Sequence, residues 1–326
     1  MTNFNTIFNQ YQKLINDKLI EIANLSSPKS MREPFLYLIE NGGKRLRPIL
    51  TMLSCGAVGG NSISALNSGV SLEILHNFTL VHDDIMDSAP LRRGRDTVHI
   101  KWDNSTAILV GDLMIGYALK LLSNDNLLVN KTKILELFAD ALVIVCEGQA
   151  LDMDYNSSKE VSVSEYIEMI QKKTTNLIRA SVLMGAHCGD ANNEQIEILN
   201  EFAINLGLAF QIQDDYLDLT SQVSGKVIGQ DLIEGKKTYM IIRAKEIAFE
   251  PEDIELINLF YKNNGVKLEQ IPEMLNLLQK LSILDEAKNL FYSYYENAEI
   301  SLNKLEKNNY TIYLTEILKL TKNRNN

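Results

Sequence analysis

Apolar residues recur along most of this chain at spacings of three and four. Phe4, Ile7, Phe8, Tyr11, Leu14, Ile15 and Ile22 form one stripe, which predicts an amphipathic N-terminal helix. Leu199, Phe202, Ala203, Leu206, Ala209 and Phe210 repeat the pattern, and Leu275, Leu278 and Leu281 continue it. Segments 107–122 and 139–150 are apolar nearly all round, which predicts helices at the centre of a bundle. No run of alternating β-branched residues bounded by turns occurs, so a sheet is not expected. Proline agrees, since none lies between Pro90 and Pro251. Breakers cluster around 41–43, 59–60, 123–126, 155–158, 189–193 and 221–235, and none is long or biased enough for an interdomain linker. The pattern predicts an all-α protein, one large helical bundle with 1–326 as a single domain and a frayed tail over 320–326.

Composition narrows the class. The chain has 326 residues, 45% of them hydrophobic, which leaves room for one large core or two smaller ones. Its formal charge of −10 disfavours a nucleic-acid partner, which a basic surface would attract. A small phosphorylated substrate stays open, because a local basic cluster or a metal reverses the sign of one cleft. Cys55, Cys146 and Cys188 are far apart and in no CxxC pair, and read as reduced thiols of a cytoplasmic protein. The N-terminus carries no basic and apolar leader pattern. The most apolar stretch, 106–122, contains Asp112 and Lys120 and is shorter than the roughly 20 residues of a membrane span. No span is expected.

Two segments resemble each other: LVHDDIMD, with Asp83, Asp84 and Asp87, and QIQDDYLD, with Asp214, Asp215 and Asp218. On a helix, positions i and i+4 share a face and i+1 lies beside them. Like charges so placed repel unless a cation binds, and hard oxygen ligands on one face suit Mg²⁺ shared with substrate phosphates. A single DDxxD would more often be a solvated acidic face. Two copies inside apolar segments favour metal. Basic motifs supply the other half. GGKRLRP places Lys44, Arg45 and Arg47 before a helix that Pro48 can start, where backbone and helix N-terminus favour anions. LRRG adds Arg92 and Arg93, KKTTNL adds Lys172, Lys173 and Thr174, and GKVIGQDLIEGKK adds Lys226, Lys236 and Lys237. Any one such cluster is commonly plain surface. Alternating with the acidic sets, they suggest a cleft for diphosphates.

In this order, GGKRLRP, EILHNFTLVHDDIMD, LRRG, VGD, GQ, KTxxL, FQIQDDYLD and DLIEGKKT make the chain resemble the trans-isoprenyl diphosphate synthases, or polyprenyl synthetases, from about Pro34 to Thr238. The resemblance implies the isoprenoid synthase bundle with a central cavity, a homodimer and Mg²⁺, with Mn²⁺ as a substitute. It implies condensation of isopentenyl diphosphate with a dimethylallyl, geranyl or farnesyl diphosphate. It makes Asp83 and Asp87 the first metal ligands with Asp84 in support, and Asp214, Asp215 and Asp218 the second set. Lys44, Arg47, His76 and Arg93 match the isopentenyl diphosphate site, and Arg92, Lys173, Lys226 and Lys236 the allylic diphosphate site. The oxygens of Thr174 and Gln211 match those that face a developing carbocation. Phe78 and Thr79, roughly 6–8 Å before Asp83 along the helix, match positions whose bulk ends chain growth. That implies a short product, C20 (geranylgeranyl diphosphate), with C15 (farnesyl diphosphate) next. His82 and His99 are expected to be structural.

Two departures stand out. Thr175 occupies a place where the family often has alanine, and the C-terminus offers only Lys322 and Arg324 as matches for residues that close over isopentenyl diphosphate. Asn192–Asn193, Asn263–Asn264, Asn308–Asn309 and Asn325–Asn326 read as surface composition bias. Competing readings are a longer-chain synthase, a class I terpene cyclase, a silent partner subunit of a heteromeric synthase, and an acidic bundle with an incidental metal face. GGKRLRP and a second full DDxxD speak against the cyclase, and the full set of motif residues against the silent subunit.

Overall fold

The computed structural model describes residues 4–157, 160–221 and 228–324. In chain order the first helices are α1 (Phe4–Asn24), α2 (Lys29–Glu40), α3 (Leu46–Ala57) and α4 (Leu66–Met86). A two-residue hairpin, β1 (Leu91–Arg92) with β2 (Arg95–Asp96), precedes α5 (Val98–Lys101), α6 (Asn104–Asn124) and α7 (Lys131–Ser157). Next come α8 (Val163–Ile170), a π turn over Gln171–Thr175, α9 (Asn176–Cys188) and α10 (Asn193–Thr220). The remainder is α11 (Gln230–Ile233), α12 (Tyr239–Ile247), α13 (Pro251–Asn263), α14 (Ile271–Lys280), α15 (Ile283–Leu302) and α16 (Asn309–Lys322). The all-α expectation holds. The hairpin, absent from the expectation, closes on Arg93 and Gly94, both at positive φ (53° and 75°), as a tight two-residue turn requires.

The described residues group into two compact units. Unit 1 comprises Met1–Leu142, Leu177–Asn200 and Leu302–Glu316, and unit 2 Val143–Asn176, Glu201–Ser301 and Ile317–Asn326. In unit 1 the α1 stripe buries Tyr11, Ile15, Leu19 and Ile22, as the spacing predicts. The centre of that unit is α4, not α6. Ser68 through Leu75 are buried on every side of α4, whereas α6 leaves Ile108, Leu109 and Leu119 exposed after packing on α4 and α2. Apolar content all round predicts a central helix, but only one face of α6 is buried in the unit. At 21 residues α6 is also longer than the expected apolar stretch, because Asn104, Ser105, Ser123 and Asn124 extend it. By length and composition alone it could cross a membrane.

In unit 2, α14 buries Ile271, Met274, Leu277 and Leu278, so Leu275 of the expected stripe is only half-buried. Three of the asparagine pairs are not mere surface bias, and Asn325–Asn326 lies outside the described residues. Asn308 starts α16, its side-chain Oδ1 accepting from the N–H groups of Tyr310 (2.8 Å) and Thr311 (3.0 Å). Asn192 accepts from Gln195 N–H at the start of α10, and Asn264 ends α13 in the left-handed region at φ 51°.

Candidate active site

In unit 1 the two arginines of the GGKRLRP motif differ in how they are held. Arg45, 3% exposed and at φ 52°, donates to Glu73 (2.8 Å), Asn16 (2.8 Å) and the Ile39 carbonyl (2.6 Å). Every side of its guanidinium is engaged. Arg47 differs, since its Nε is buried without a partner, and burial lowers its pKa against the pull of Glu73. An uncompensated buried guanidinium is costly unless an anion completes it. Arg93 donates to the Gly42 carbonyl, and its guanidinium lies where a side chain on Gly43 would stand. Burial and the surrounding Arg47, Arg93, Arg92 and Arg45 push the His76 pKa well below its usual value, so a neutral imidazole shares this cationic cluster. Lys44 is exposed.

The first aspartate cluster closes α4. Asp87 is exposed and Asp83 half-buried, while Asp84 turns inward, 3% exposed, where Arg92 donates to it at 2.6 Å. Burial raises the Asp84 pKa, and Arg92 works against that rise. Arg92, matched to the allylic diphosphate by the sequence, thus has a second commitment. Upstream, the Phe78 ring lies 4.5 Å from that of His82, and the Thr79 hydroxyl donates to the His76 carbonyl. His82 fits because residue 111 is glycine, as a Cβ there would stand 2.3 Å from its Nε2. That close approach accounts for His82 structurally.

In unit 2, residues from three motifs line one cleft: Lys173 and Thr174, Gln211 with Asp214 and Asp215, and Lys236. Lys173 and Thr174 sit on the π turn, a single-turn widening often found at functional sites. Gly148 of α7 lets that turn approach, since a Cβ there would lie 2.4 Å from the Lys173 backbone nitrogen. Lys237, named with the basic motifs, also lines the cleft, as do Asp152, Tyr166 and Asp231, which the sequence does not mark as site residues. Asp231 lies inside DLIEGKK and Asp152 three residues past GQ, so the motifs held or bordered both without marking their chemistry. Lys226 lies outside the described residues.

The cleft pairs its charges internally. Lys173 donates to Asp152 (2.5 Å), and Lys236 to Asp231 (2.9 Å) and Glu234 (2.8 Å). Burial alone would lower the Lys236 pKa, but Asp231 and Glu234 carry it above its usual value. Lys237, buried, donates to the Asn156 carbonyl and to Asn264 Oδ1. Asp215 is 6% exposed, and both its oxygens accept: Oδ2 from Tyr166 (2.6 Å), Oδ1 from the Gln211 amide (2.7 Å). Burial and the nearby Asp231 and Asp214 push its pKa well up. Gln211 Oε1 in turn accepts from the Thr174 hydroxyl at 2.7 Å. Asp218 accepts from the Asp231 backbone N–H. Asp214 is exposed and meets Arg324 at 3.3 Å. Arg324, named from sequence for isopentenyl diphosphate, also donates to Gln213 Oε1 and the Phe210 carbonyl and stacks 4.1 Å over the Phe210 ring. Thr175, the departure from alanine, is buried with an unpartnered hydroxyl, its side chain lying where a side chain on Gly207 would stand.

Both clusters stand at helix C-termini, where the macrodipole disfavours anions. Among the described residues no three His, Cys, Asp or Glu side chains converge into a closed metal cage. Hard carboxylate oxygens on a helix face suit Mg²⁺, which keeps waters and shares substrate phosphates.

The profile of the polyprenyl synthetase family matches residues 28–278, well past the last motif visible in the sequence. The chain belongs to the polyprenyl synthetase family. It is 40% identical over 288 residues to a geranylgeranyl diphosphate synthase of Methanosarcina mazei, covering 87% of each chain. A geranylgeranyl pyrophosphate synthetase structure from Pyrococcus horikoshii is 34% identical, covers 98% of both chains and superposes with a TM-score of 0.92. A decaprenyl diphosphate synthase structure from Rhodobacter capsulatus, 27% identical, covers 99% of this chain and 98% of its own with a TM-score of 0.90. Membership makes this chain a prenyltransferase. The backbone fold is shared by relatives with very different product lengths, so it carries no information on product length.

Proposed function

We propose that this protein condenses isopentenyl diphosphate with an allylic diphosphate and releases a short-chain prenyl diphosphate, C20 first and C15 second. The observation that carries the reading is the unit 2 cleft, where Lys173, Thr174, Gln211, Asp214, Asp215 and Lys236 come together from separate motifs. Lys173 and Lys236 hold the allylic diphosphate, exchanging their aspartate partners for its oxygens. The allylic C–O bond breaks, and its electrons leave with the diphosphate. Lone pairs on Thr174 and Gln211 face the resulting carbocation. The isopentenyl double bond attacks the cation, a C–C bond forms, and the departing diphosphate accepts the proton lost. Arg47, Arg93, Lys44 and neutral His76 hold isopentenyl diphosphate in place. Mg²⁺ bound at the two aspartate clusters would neutralise charge on the leaving diphosphate. The reading takes 1–326 as one catalytic domain, because neither unit carries both clusters.

Relatives named geranylgeranyl diphosphate synthases support C20, and Phe78, half-buried five residues before Asp83, supports an early stop to growth. The exposed apolar side of α6 (Ile108, Leu109, Leu119) supports a homodimer, since such a face is costly in water. Three cysteines far apart in the sequence and in no disulfide support a cytoplasmic setting. The test incubates wild type and Phe78→Ala with isopentenyl diphosphate and each allylic primer, then sizes the dephosphorylated products. Wild type is expected to stop at C20 and Phe78→Ala to run longer. A wild-type product of C30 or more would refute the short-chain reading, and identical lengths would remove Phe78 as the ruler.

A further inference from the structure

One set of hydrogen bonds in the unit 2 cleft converges on Asp215 from two sides, and one end of it is a residue outside the reaction described so far. Tyr166, on α8, is 1% exposed, and its hydroxyl donates to Asp215 Oδ2 at 2.6 Å. A capping box at Ser162 and Glu165 sets the start of α8, so the ring's position is fixed by helix geometry. Asp215 Oδ1 takes the Gln211 amide N–H at 2.7 Å, and Gln211 Oε1 takes the Thr174 hydroxyl at 2.7 Å. Both Asp215 oxygens are therefore occupied by donors, a tyrosine hydroxyl and an amide N–H.

That pattern decides which way the Gln211 amide points. Its NH₂ end is committed to Asp215, so its carbonyl end is committed to the side where Thr174 lies. A flipped amide would set its carbonyl oxygen against a carboxylate oxygen and lose the Thr174 hydroxyl. It would also turn the positive end of the amide dipole towards a positive charge in the cleft. We infer that Tyr166 is a positioning residue for carbocation stabilisation: it holds Asp215, and through Asp215 it keeps the oxygens of Gln211 and Thr174, rather than N–H groups, towards the allylic carbon. The inference rests on the prenyl-transfer reading above. Asp215 is on this account the anchor of a relay, and Asp214 and Asp218 remain the members of its cluster available to metal.

The experiment measures, by calorimetry in Mg²⁺, the affinity of two allylic diphosphate analogues. One carries a tertiary ammonium where the cation forms, and the other is its neutral carbon isostere. Wild type is expected to prefer the ammonium analogue. Tyr166→Phe is expected to cut that preference about tenfold, the scale of one misplaced hydrogen bond to charge, with the neutral analogue's affinity held within about twofold. Asp215→Asn, which can present either end of its own amide, is expected to cut the preference further, and carries the test if Tyr166→Phe does not fold. An unchanged preference, or an equal loss on both analogues, would overturn the inference and leave prenyl transfer standing. Wild type binding neither analogue would overturn prenyl transfer, and the inference with it.

Discussion

The two aspartate clusters share a spacing and a helix end, yet they differ in what holds their middle residue. Asp84 and Asp215 are both buried, which leaves the first and last carboxylate of each cluster on the outer side. In unit 1 the buried carboxylate meets a charge, the Arg92 guanidinium. In unit 2 it meets neutral donors, Tyr166 and Gln211. The same contrast runs through the neighbouring chemistry. Unit 1 rests on buried ion pairs, including Arg45–Glu73, and leaves Arg47 Nε uncompensated for an anion. The unit 2 cleft ties lysines to aspartates and extends a hydrogen-bond relay to a hydroxyl and an amide. One sequence motif therefore sits in two electrostatic settings, and the partner of its middle aspartate tells them apart.

The largest effect is expected where unit 1 depends on charge inside its core. Arg45→Ala strands Glu73 and is expected to cost about 3–5 kcal/mol of stability, read as a lowered urea midpoint. Arg47→Ala is expected to leave that midpoint nearly unchanged while raising the isopentenyl diphosphate KM. Equal midpoints for Arg45→Ala and wild type would erase the distinction between scaffold and ligand arginines. Next come the outer aspartates. Asp83→Ala and Asp214→Ala are each expected to lower kcat by at least about 10²–10³-fold, the scale of losing one preorganised electrostatic contact. A variant that kept wild-type turnover would remove its cluster from the reaction.

The middle aspartates separate the units by kind of loss rather than size. Asp215→Asn is expected to lower kcat with little change in KM, because the relay acts when charge develops. Asp84→Asn frees Arg92 and is expected to act mainly on the KM of the allylic partner. Matching kinetic signatures would show that the two positions do one job. The smallest expected effect is at the C-terminus. Arg324 shares Asp214 with any bound cation, so Arg324→Ala is expected to tighten Mn²⁺ binding by a few fold in titrations without substrate. Weaker Mn²⁺ binding would mean that Arg324 organises the cluster rather than competing for it.

Much of this was legible in the sequence, and the failures are instructive. The α1 and α10 stripes and the motif residues could be read because periodicity and paired charges are local signals. The exposure of α6 could not, since an all-apolar helix looks the same whether it meets its own core or presents a face outward. The roles of Asn308 and Asn264 were hidden for a related reason, because a cap is defined by backbone geometry rather than by composition. Tyr166 escaped because it precedes its partner Asp215 by 49 residues and looks like any buried aromatic on a short helix. Arg324 was visible as a candidate, but its contact with Asp214 was not, since nothing in the sequence pairs a tail residue with Asp214.

The most direct test of the account is the condensation rate of the wild-type protein with isopentenyl and farnesyl diphosphates, measured with Mg²⁺ and again with excess EDTA. A C20 diphosphate formed with Mg²⁺, abolished by the chelator and restored by added Mg²⁺, is the expected result. Undiminished product in EDTA would contradict metal-assisted departure of diphosphate at the two aspartate clusters.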